Sequence, residues 1–564
     1  MKLKLKTLTP VHVSTGNDLE ALDYIQSKGV IYRIHLDKAL EIITAEHPDA
    51  PEKFADWIDS KIFGMERAGN HGYEPANKTQ SLIRQGTDIK NFCESKLRDN
   101  TLIHKIIEGA TLYKAEAPYG LVNNTRINEQ IKDSSSLPII PGSSLKGAIK
   151  TALAANAWGK YSPQEREDVL RKCKKTGRDR YGNPTVGYND DALMTFLFSC
   201  RTTGRERFDA ARFSIMRFFR FSDAHIPQKG NTVNLEVYPV NLYLRKKQPQ
   251  SQTNPQEVIP AGTLLEFEFS VDVEGLSKAL SESRKPEGMW RGLEDKIEKL
   301  FNVKIGAFSK EQLENALYQG LLEVIEDQTK KVLNNEKEWL RDLRYSMGEN
   351  GLSKEVIQRL DEFYKEAFAT TNGTLKTGWG SGFLSITIFS TLIKTDRKYL
   401  EEMFMNARIG VPRIKGKQFD APNLEHFPKS KRLTAKSKMV PESMLGWIRI
   451  GTDLTADPRP QRPIVAETEA TVAPEPEILS PEEQTAKLKE ANEKLKLKDT
   501  INMAAVVTGG EAPFVLCRIL HKDLETETFK AKYAAGLPVG AFVSLKVTFQ
   551  KPGRVQNVTF AKTL

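Results

Sequence analysis

The chain contains 564 residues, of which 39% are hydrophobic, and it carries a formal net charge of +10 at neutral pH. This length exceeds one ordinary hydrophobic core and predicts two or three domains. No apolar run is long enough to cross a bilayer and no charged-then-apolar leader opens the chain, so we expect a cytoplasmic protein. The four cysteines form no C-x-x-C pair, which argues against a disulfide framework or a cysteine-rich zinc site, while the positive charge favours an anionic partner.

The first 45 residues predict strand, turn, strand and helix. Lysine and leucine alternate over residues 1–6, and residues 31–36 alternate again. Asp37 is placed to cap a helix that begins at Lys38. Residues 46–136 then show a polar, helical pattern with Gly- and Asn-rich breaks around residues 69–77.

A strand-turn-helix junction is predicted at residues 137–157. An apolar run stops at Pro141, Ser143 and Ser144 offer hydroxyls where a helix begins, and Lys146 and Lys150 follow one turn apart. Such a helix start directs backbone N–H groups and two cations at one point, which suits a phosphate. An ordinary capped helix with solvated lysines explains the same residues.

Arginine and phenylalanine crowd into residues 201–221. Arginine interleaved with aromatic rings is typical of single-stranded RNA binding, but the same alternation is typical of a half-buried strand with its arginines in water. Both interpretations stay open and are compatible. The residues are Arg201, Arg205, Arg207, Arg212, Arg217 and Arg220 with Phe208, Phe213, Phe218, Phe219 and Phe221.

Further elements follow from composition and periodicity. We expect a loop at 177–189, strands at 211–223, 232–244 and 263–273, and a loop at 246–255. Residues 288–366 are strongly helical, and a capping box at 309–312 opens a long helix whose face of Leu313, Leu317, Leu321 and Ile325 is expected to be core or a subunit contact.

A glycine-rich loop at 377–383 precedes a predicted strand at 383–388. Glycines at 378, 380 and 382 allow close approach of the backbone to another group. No Gly-Lys-Ser/Thr ends the loop, so it is not a Walker A loop. Trp379 can either pack in the core or stack on a base.

The composition changes after residue 450. Residues 457–481 are rich in Pro, Glu, Ala and Thr and predict a disordered linker, followed by a short charged helix to about 498. Residues 500–564 predict a small β-barrel, for which an OB-like fold is one candidate, and its lysines and aromatic residues suit nucleic acid as well as they suit protein docking. The residues in question are Lys530, Lys532, Lys546, Lys551, Arg554, Phe529, Tyr533 and Phe549.

Six stretches in order resemble the RAMP superfamily, the RNA-binding subunits of CRISPR effectors built on ferredoxin-like (RRM-like) folds. The stretches are 5–16, 137–153, 220–224, 377–383, 427–433 and 445–448. The last two resemble the closing signature of the subfamily that caps type III-A complexes at the crRNA 3′ end. The resemblance covers 1–450 and implies an α+β, ferredoxin-like core with helical insertions at about 46–136 and 288–366, followed by a linker and helix at 451–499 and a small β domain at 500–564.

The resemblance implies a non-catalytic crRNA-binding subunit that needs no cofactor. Its expected partners are crRNA, other RAMP backbone subunits, target RNA and host nucleases. The predicted RNA contacts are Gly142, Ser143, Ser144, Lys146, Lys150, Arg212, Arg217, Arg220, Lys376, Gly378, Trp379, Gly380 and Ser381.

The alternative is a metal-dependent endoribonuclease. In the neighbouring backbone subunits of the resembled complexes, an aspartate in an early loop assists metal-dependent cleavage of RNA. Asp18 and Asp23 occupy a comparable loop here, together with Glu20. Acidic residues in a turn need no catalytic role, and the eight histidines show no H-E-x-x-H or paired spacing.

Overall fold

A computed structural model defines the fold. It describes residues 1–66, 87–119, 121, 126–178, 180, 184–201, 208, 210–227, 235–244, 247–307, 309–347, 354–407, 409, 424, 427–435, 441–455, 481–495, 497, 499–510, 514–524, 526–532, 539–551 and 554–563. The chain divides into two compact units, Met1–Ala466 and Glu467–Leu564. Residues 457–480 of the linker predicted at 457–481 lie outside the described residues.

The first unit mixes strands and helices throughout. Its described strands are β1 (Lys2–Thr7), β2 (Ser14–Leu19), β3 (Tyr24–Ser27), β4 (Val30–Ile34), β5 (Thr111–Glu116), β6 (Ile127–Gln130), β7 (Lys174–Arg178), β8 (Pro184–Tyr188), β9 (Phe219–Phe221), β10 (Leu235–Leu244), β11 (Lys247–Val258), β12 (Leu264–Val271), β13 (Thr374–Lys376), β14 (Ser430–Ala435), β15 (Pro441–Ser443) and β16 (Trp447–Gly451). Its described α-helices are Leu36–Glu46, Ala50–Glu66, Ile89–Phe92, Thr101–Ala110, Gly142–Trp158, Pro163–Cys173, Asp191–Phe198, Val273–Ser283, Leu293–Phe301, Lys310–Met347, Lys354–Ala369, Phe383–Ile386, Phe389–Thr395 and Arg397–Asn406.

The opening strand lies at the centre of a five-stranded sheet in the order β13-β16-β1-β12-β9. All of its pairings are antiparallel. The Lys–Leu alternation of β1 puts Leu3 and Leu5 in the core and the lysines on the other face, as the period of two requires. The helix Gly142–Trp158 shares that core through Leu145, Ile149 and Leu153.

A second sheet carries nine described strands. Seven follow the order β2-β6-β11-β10-β5-β4-β3, and β14 pairs with both β10 and β15. The sheet is mixed, because β10 runs parallel to β5 and β11 runs parallel to β6. The N-terminal part of the chain and the residues around 430 therefore belong to one sheet.

The long helix Lys310–Met347 supplies core to the first unit. Leu313, Leu317, Leu321 and Ile325 are all buried, which confirms that this face is internal. At the start of the helix, the Gln312 side chain accepts the N–H of Ser309 at 3.2 Å, one half of the predicted capping box.

Several predicted elements are wrong. Residues 211–223 contain a 3₁₀ turn, Ile215–Phe218, and only the three-residue strand β9, because Ile215, Met216, Phe218 and Phe219 are buried almost consecutively rather than alternately. The expected strand at 383–388 is the short helix Phe383–Ile386, and the strand of this region is β13, before the glycines.

Two polar segments predicted to be loops contain strands, and two further predictions differ from the structure in their elements or boundaries. The expected loop at 246–255 is most of β11, which pairs with β10, since backbone hydrogen bonds need no apolar side chains. The expected loop at 177–189 contains the β7–β8 pair. The 46–136 segment includes β5 and β6, and the first helix begins at Leu36 after His35, so Asp37 lies in its first turn rather than at its N-cap.

The C-terminal unit is a small antiparallel β structure with one helix. The helix is Pro481–Glu493, and the strands are β17 (Thr500–Gly509), β18 (Phe514–Ile519), β19 (Thr528–Lys532), β20 (Phe542–Lys551) and β21 (Arg554–Thr563) in the order β19-β18-β17-β20-β21. The unit has a separate hydrophobic core, which includes Val515, Cys517 and Leu545. The buried Asn492 side chain joins helix to sheet by donating to the carbonyls of Ala504 and Leu520, each at 2.8 Å.

No helix among the described residues combines the length and the apolar character that a membrane crossing requires.

Candidate nucleic-acid interface

The helix Gly142–Trp158 begins against the segment that follows β9. The N–H of Gly142 donates to the Asp223 carboxylate at 2.8 Å, and Ile140 forms a bridge with Ala224. A Cβ at position 142 would lie 2.2 Å from the carbonyl oxygen of Phe221, so only glycine fits. The predicted capping role of Ser143 and Ser144 is wrong: Pro141 is the N-cap and makes no side-chain cap, and Asp223 takes the first free N–H group.

Other motifs meet at this helix start. The Thr377 hydroxyl contacts the carbonyl of Ser144 at 3.3 Å, and the Thr377 N–H donates to the carbonyl of Gly446 at 2.9 Å. The Trp379 N–H donates to the carbonyl of His12 at 2.7 Å. The fold therefore brings the segment after the opening strand, the junction helix, the glycine loop and the closing signature to one place.

Positive backbone angles explain the glycines of this loop. Gly378 has φ +77°, and a Cβ there would lie 2.4 Å from the His12 carbonyl oxygen. Gly380 has φ +78°, and a Cβ there would lie 2.9 Å from Leu445 Cδ1. The glycines thus serve close packing within the protein.

The two lysines of the junction helix are half-buried. Lys146 Nζ donates to the Phe219 carbonyl at 2.8 Å, and Lys150 Nζ lies 5.0 Å from the centre of the Phe198 ring. Burial lowers the pKa of Lys146, and the nearby charge of Lys150 lowers it further. Both side chains hold the helix to its neighbours as well as contributing positive charge.

The arginines of the Arg/Phe segment face solvent while most of its described rings do not. Arg212, Arg217 and Arg220 are exposed, whereas Phe213, Phe218 and Phe219 are buried. Phe213 and Phe218 each lie 5.1 Å from Trp290, which makes them core residues. The exposed arginines are available to phosphates, but these three rings are not available to bases; Arg205 and Arg207 lie outside the described residues.

Trp379 is partly buried and bridges core and surface. Its ring packs edge-on to His12 at 5.9 Å and lies beneath the exposed Arg432, whose guanidinium carbon is 5.0 Å from the ring centre. Burial lowers the pKa of His12 to about 4, although its hydrogen bond to the Glu257 carbonyl raises it. His12 is therefore neutral at physiological pH and its Nδ1–H donates to that carbonyl at 2.6 Å.

Two residues predicted to contact RNA are enclosed by protein. Ser381 is buried. The Lys376 side chain is 3% exposed and its Nζ lies 2.8 Å from Glu336 Oε1. Lys431 binds the same carboxylate oxygen, and Trp447 Nε1 donates to Glu336 Oε2 at 3.2 Å. These contacts withdraw Lys376 from the surface and make it part of a buried ion cluster.

The early carboxylates are paired with arginines. Asp18 lies 3.2 Å from Arg126, which also binds Glu20, and Asp23 lies 3.1 Å from Arg33. Asp23 also accepts the N–H of Glu20 at 2.8 Å and thereby closes a 3₁₀ turn. These contacts account for the acids structurally, and no cluster of three or more metal-ligating side chains occurs among the described residues.

Sequence reasoning missed two residues of the interface, although both lie inside stretches that it singled out. Asp223 belongs to the 220–224 stretch and binds the helix start, and Arg432 belongs to the 427–433 stretch and covers Trp379. A buried glycine N–H needs an acceptor, which was the available signal for Asp223.

Residues 4–385 match the family model described as the RAMP superfamily. The chain belongs to the RAMP superfamily, as the sequence motifs predicted. Among individual proteins, it is similar to the CRISPR system Cms protein Csm5 of Methanocaldococcus jannaschii, with 22% identity over 468 residues, 80% of this chain and 88% of that protein. It is also similar to the protein of the same name from Streptococcus thermophilus, with 23% identity over 194 residues, 32% of this chain and 47% of that protein.

Two solved structures are similar at 19% identity and a TM-score of 0.47. One is a chain of the cryo-EM structure of a Csm–crRNA–target RNA ternary complex of a type III-A CRISPR–Cas system, covering 80% of this chain and 100% of that one. The other is the crystal structure of T. onnurineus Csm5, covering 79% of this chain and 99% of that one. The predicted resemblance to the subfamily of the fifth Csm subunit is confirmed.

Proposed function

We propose that this chain is a non-catalytic, cytoplasmic crRNA-binding subunit that caps the crRNA 3′ end of a type III-A CRISPR effector complex. In this role it supports assembly and crRNA maturation, contacts other RAMP backbone subunits and target RNA, and can recruit host nucleases. The similarity to Csm5 proteins over most of the chain supports the class of complex. The RNA-binding core spans 1–450 and is ferredoxin-like; a linker and helix at 451–499 and an OB-like domain at 500–564 complete the chain.

One observation carries the RNA-binding assignment. The motifs meet at a single helix start, next to the strand β9 with its exposed Arg220 and to the Arg432–Trp379 pair, and exposed Arg212 and Arg217 lie in the segment that leads into β9. Guanidinium groups bind phosphates, and a partly exposed indole beneath a cation can stack on a base. Recognition of this kind is mostly independent of sequence, as expected for a subunit that serves many different spacers.

Charge reversal of Arg217 and Arg220 tests this interface. The variant Arg217→Glu/Arg220→Glu should bind crRNA more weakly, because two phosphate contacts are replaced by repulsion. The slope of log affinity against log salt should fall by about 1.4, since each single-strand phosphate contact contributes about 0.7. The measurement is a salt titration of binding to a labelled crRNA.

A matched control separates this effect from net charge. Lys38 and Lys172 are exposed on other helices, so Lys38→Glu/Lys172→Glu changes the charge equally and should leave affinity near wild type. If both double variants lose affinity alike, or if neither does, the arginine interface is rejected. Co-isolation of the intact chain with a fixed-length small RNA and repeated subunits tests the capping role separately.

A cleavage assay on a carboxylate variant tests the absence of catalysis. Asp18→Ala/Asp23→Ala should leave cleavage of target and precursor RNA in magnesium unchanged, because both carboxylates are engaged by arginines. Loss of a cleavage activity in this variant would assign the chain to the endoribonucleases instead.

A further inference from the structure

The C-terminal unit has an unusual outer sheet face, formed by β18 and β19. Alternate residues of the two strands point into the core, and the others point outward. The strands are antiparallel, so the outward residues form three cross-strand pairs. These pairs are Phe514 with Lys532, Leu516 with Lys530, and Arg518 with Thr528, and all six residues are exposed.

The face combines apolar exposure with positive charge. Phe514 and Leu516 are 37% and 38% exposed, and Lys530 Nζ lies 4.3 Å from the centre of the Phe514 ring. Adjacent exposed apolar residues are uncommon on a sheet face that serves only to meet water. Three cations and no carboxylate occur among the six outward residues, and residues 500–564 hold eight Lys and Arg against four Asp and Glu.

This composition selects between the possible ligands. Protein-binding surfaces are depleted in lysine, whereas surfaces for single-stranded nucleic acid combine a basic track with an aromatic ring on which a base stacks. Among the described residues, the acidic side chains closest in sequence to the face are Asp523 and Glu527, which lie in the connection between Arg518 and Thr528 and not at the end formed by Phe514 and Lys532.

We propose that this face is a second nucleic-acid site, which binds single-stranded RNA independently of the interface in the first unit. Phe514 stacks on a base with Leu516 beside it, and Arg518, Lys530 and Lys532 bind the flanking phosphates. Because this site does not include the helix start at Gly142, it can be confirmed or rejected independently of the proposed capping role.

Site-resolved crosslinking tests the proposal in the full chain. Labelled hexauridylate is crosslinked by ultraviolet light at increasing concentrations, and the modified peptides are quantified by mass spectrometry, so that each site is titrated by itself. Crosslinks are expected within 514–532. Phe514→Ala should raise the apparent Kd of that peptide by between about fivefold and a hundredfold, the range measured for loss of one base–aromatic stack. Lys530→Glu/Lys532→Glu should lower its salt slope by about 1.4.

Control variants lie in the same unit but off the face. Lys494→Glu/Lys522→Glu reverses two exposed cations elsewhere in this unit, and Val539→Ala truncates a side chain that is 72% exposed, so both should stay within about twofold of wild type. The substituted side chains are exposed, and thermal unfolding of each variant should match wild type. A parallel series with oligothymidylate separates the sources of the ligand: equal affinity means recognition of any single strand, and stronger RNA binding adds a contact to the 2′-hydroxyl.

Several results would overturn the proposal. They are an absence of crosslinks at 514–532, an unchanged Kd in both Phe514→Ala and the double lysine variant, and a preference for duplex RNA at this peptide. Saturable binding of a purified partner protein that Phe514→Ala abolishes, without RNA binding at the same face, would assign the face to protein docking.

Discussion

At the residue scale, Glu336 is a fully buried carboxylate that contacts four other side chains. It pairs with Lys376 and Lys431, and accepts hydrogen bonds from Trp447 and Tyr364. The cluster joins the long helix to β13, β14 and β16, and so fixes the base of the glycine loop. Removing one partner of such a cluster leaves buried charge without compensation.

We therefore predict that Glu336→Ala lowers the free energy of unfolding of the first unit by about 3–5 kcal/mol. All six tryptophans lie before residue 467, so denaturation followed by tryptophan fluorescence reports this unit alone. Glu338→Ala removes an exposed glutamate from the same helix and should cost little. Similar losses in the two variants would mean that the buried cluster does not stabilise the fold.

The pH dependence of stability follows from the same group. Burial raises the pKa of Glu336, but the two lysines and their hydrogen bonds outweigh it and lower the pKa to about 2, from an ordinary value of 4.5. Between these values the unfolded chain binds the proton and the folded chain does not, so the contribution is full above about pH 4.5 and is lost toward pH 2. As the pH is lowered from about 4.5 to about 2, the free energy of unfolding should therefore fall less steeply in Glu336→Ala than in the wild type.

Lys376 shows that the burial of a single side chain cannot be predicted from its neighbours in the sequence. A lysine beside a glycine-rich loop is predicted to bind phosphate. In the structure Lys376 instead pairs with Glu336, which lies 40 residues earlier on a helix that carries no recognisable motif. Burial depends on which distant element packs over a side chain, and only the fold defines that. The exposure of Arg212, Arg217 and Arg220 was predictable, because an arginine is almost never fully buried unless its charge is paired.

At the element scale, the glycine loop can pack against the segment that follows β1 only because its glycines have no side chains. Gly378→Ala should weaken crRNA binding and lower the free energy of unfolding, because its Cβ would lie 2.4 Å from the His12 carbonyl and φ +77° is itself unfavourable for alanine by about 1–2 kcal/mol. Gly292→Ala has the same φ, +78°, with no atom within 4 Å, and controls for the backbone term. Equal effects on stability and affinity would show that the close approach to His12 is unimportant.

Elements with strong periodicity were predictable, and those with mixed or polar composition were not. The alternation in β1 and the helical spacing in Lys310–Met347 both describe one buried face, which the sequence displays directly. By contrast, β11 is polar and forms because β10 offers its backbone groups, and Phe218 of the 3₁₀ turn packs against Trp290 from far along the chain. The convergence of the motifs at the helix start is likewise a tertiary property.

At the scale of the whole molecule, each unit carries its own buried cluster. The first unit is organised around the five-stranded and nine-stranded sheets, and the second around β17 to β21. The family match ends at residue 385, within the first unit. The architecture thus separates the elements that carry the RAMP motifs from a compact C-terminal addition with a basic, aromatic face.

We predict that a chain ending at Ala466 keeps the fold and the assembly competence of the first unit. Its unfolding midpoint by tryptophan fluorescence should match that of the full chain, since the main buried cluster of the first unit is built, among the described residues, from that unit alone. Circular dichroism of the full chain should include an additional transition that the shortened chain lacks. Co-purification with crRNA and backbone subunits should persist, while hexauridylate crosslinking at 514–532 is necessarily removed. A lower midpoint or a failure to assemble would make the C-terminal unit an integral part of the capping subunit rather than an added RNA-binding module.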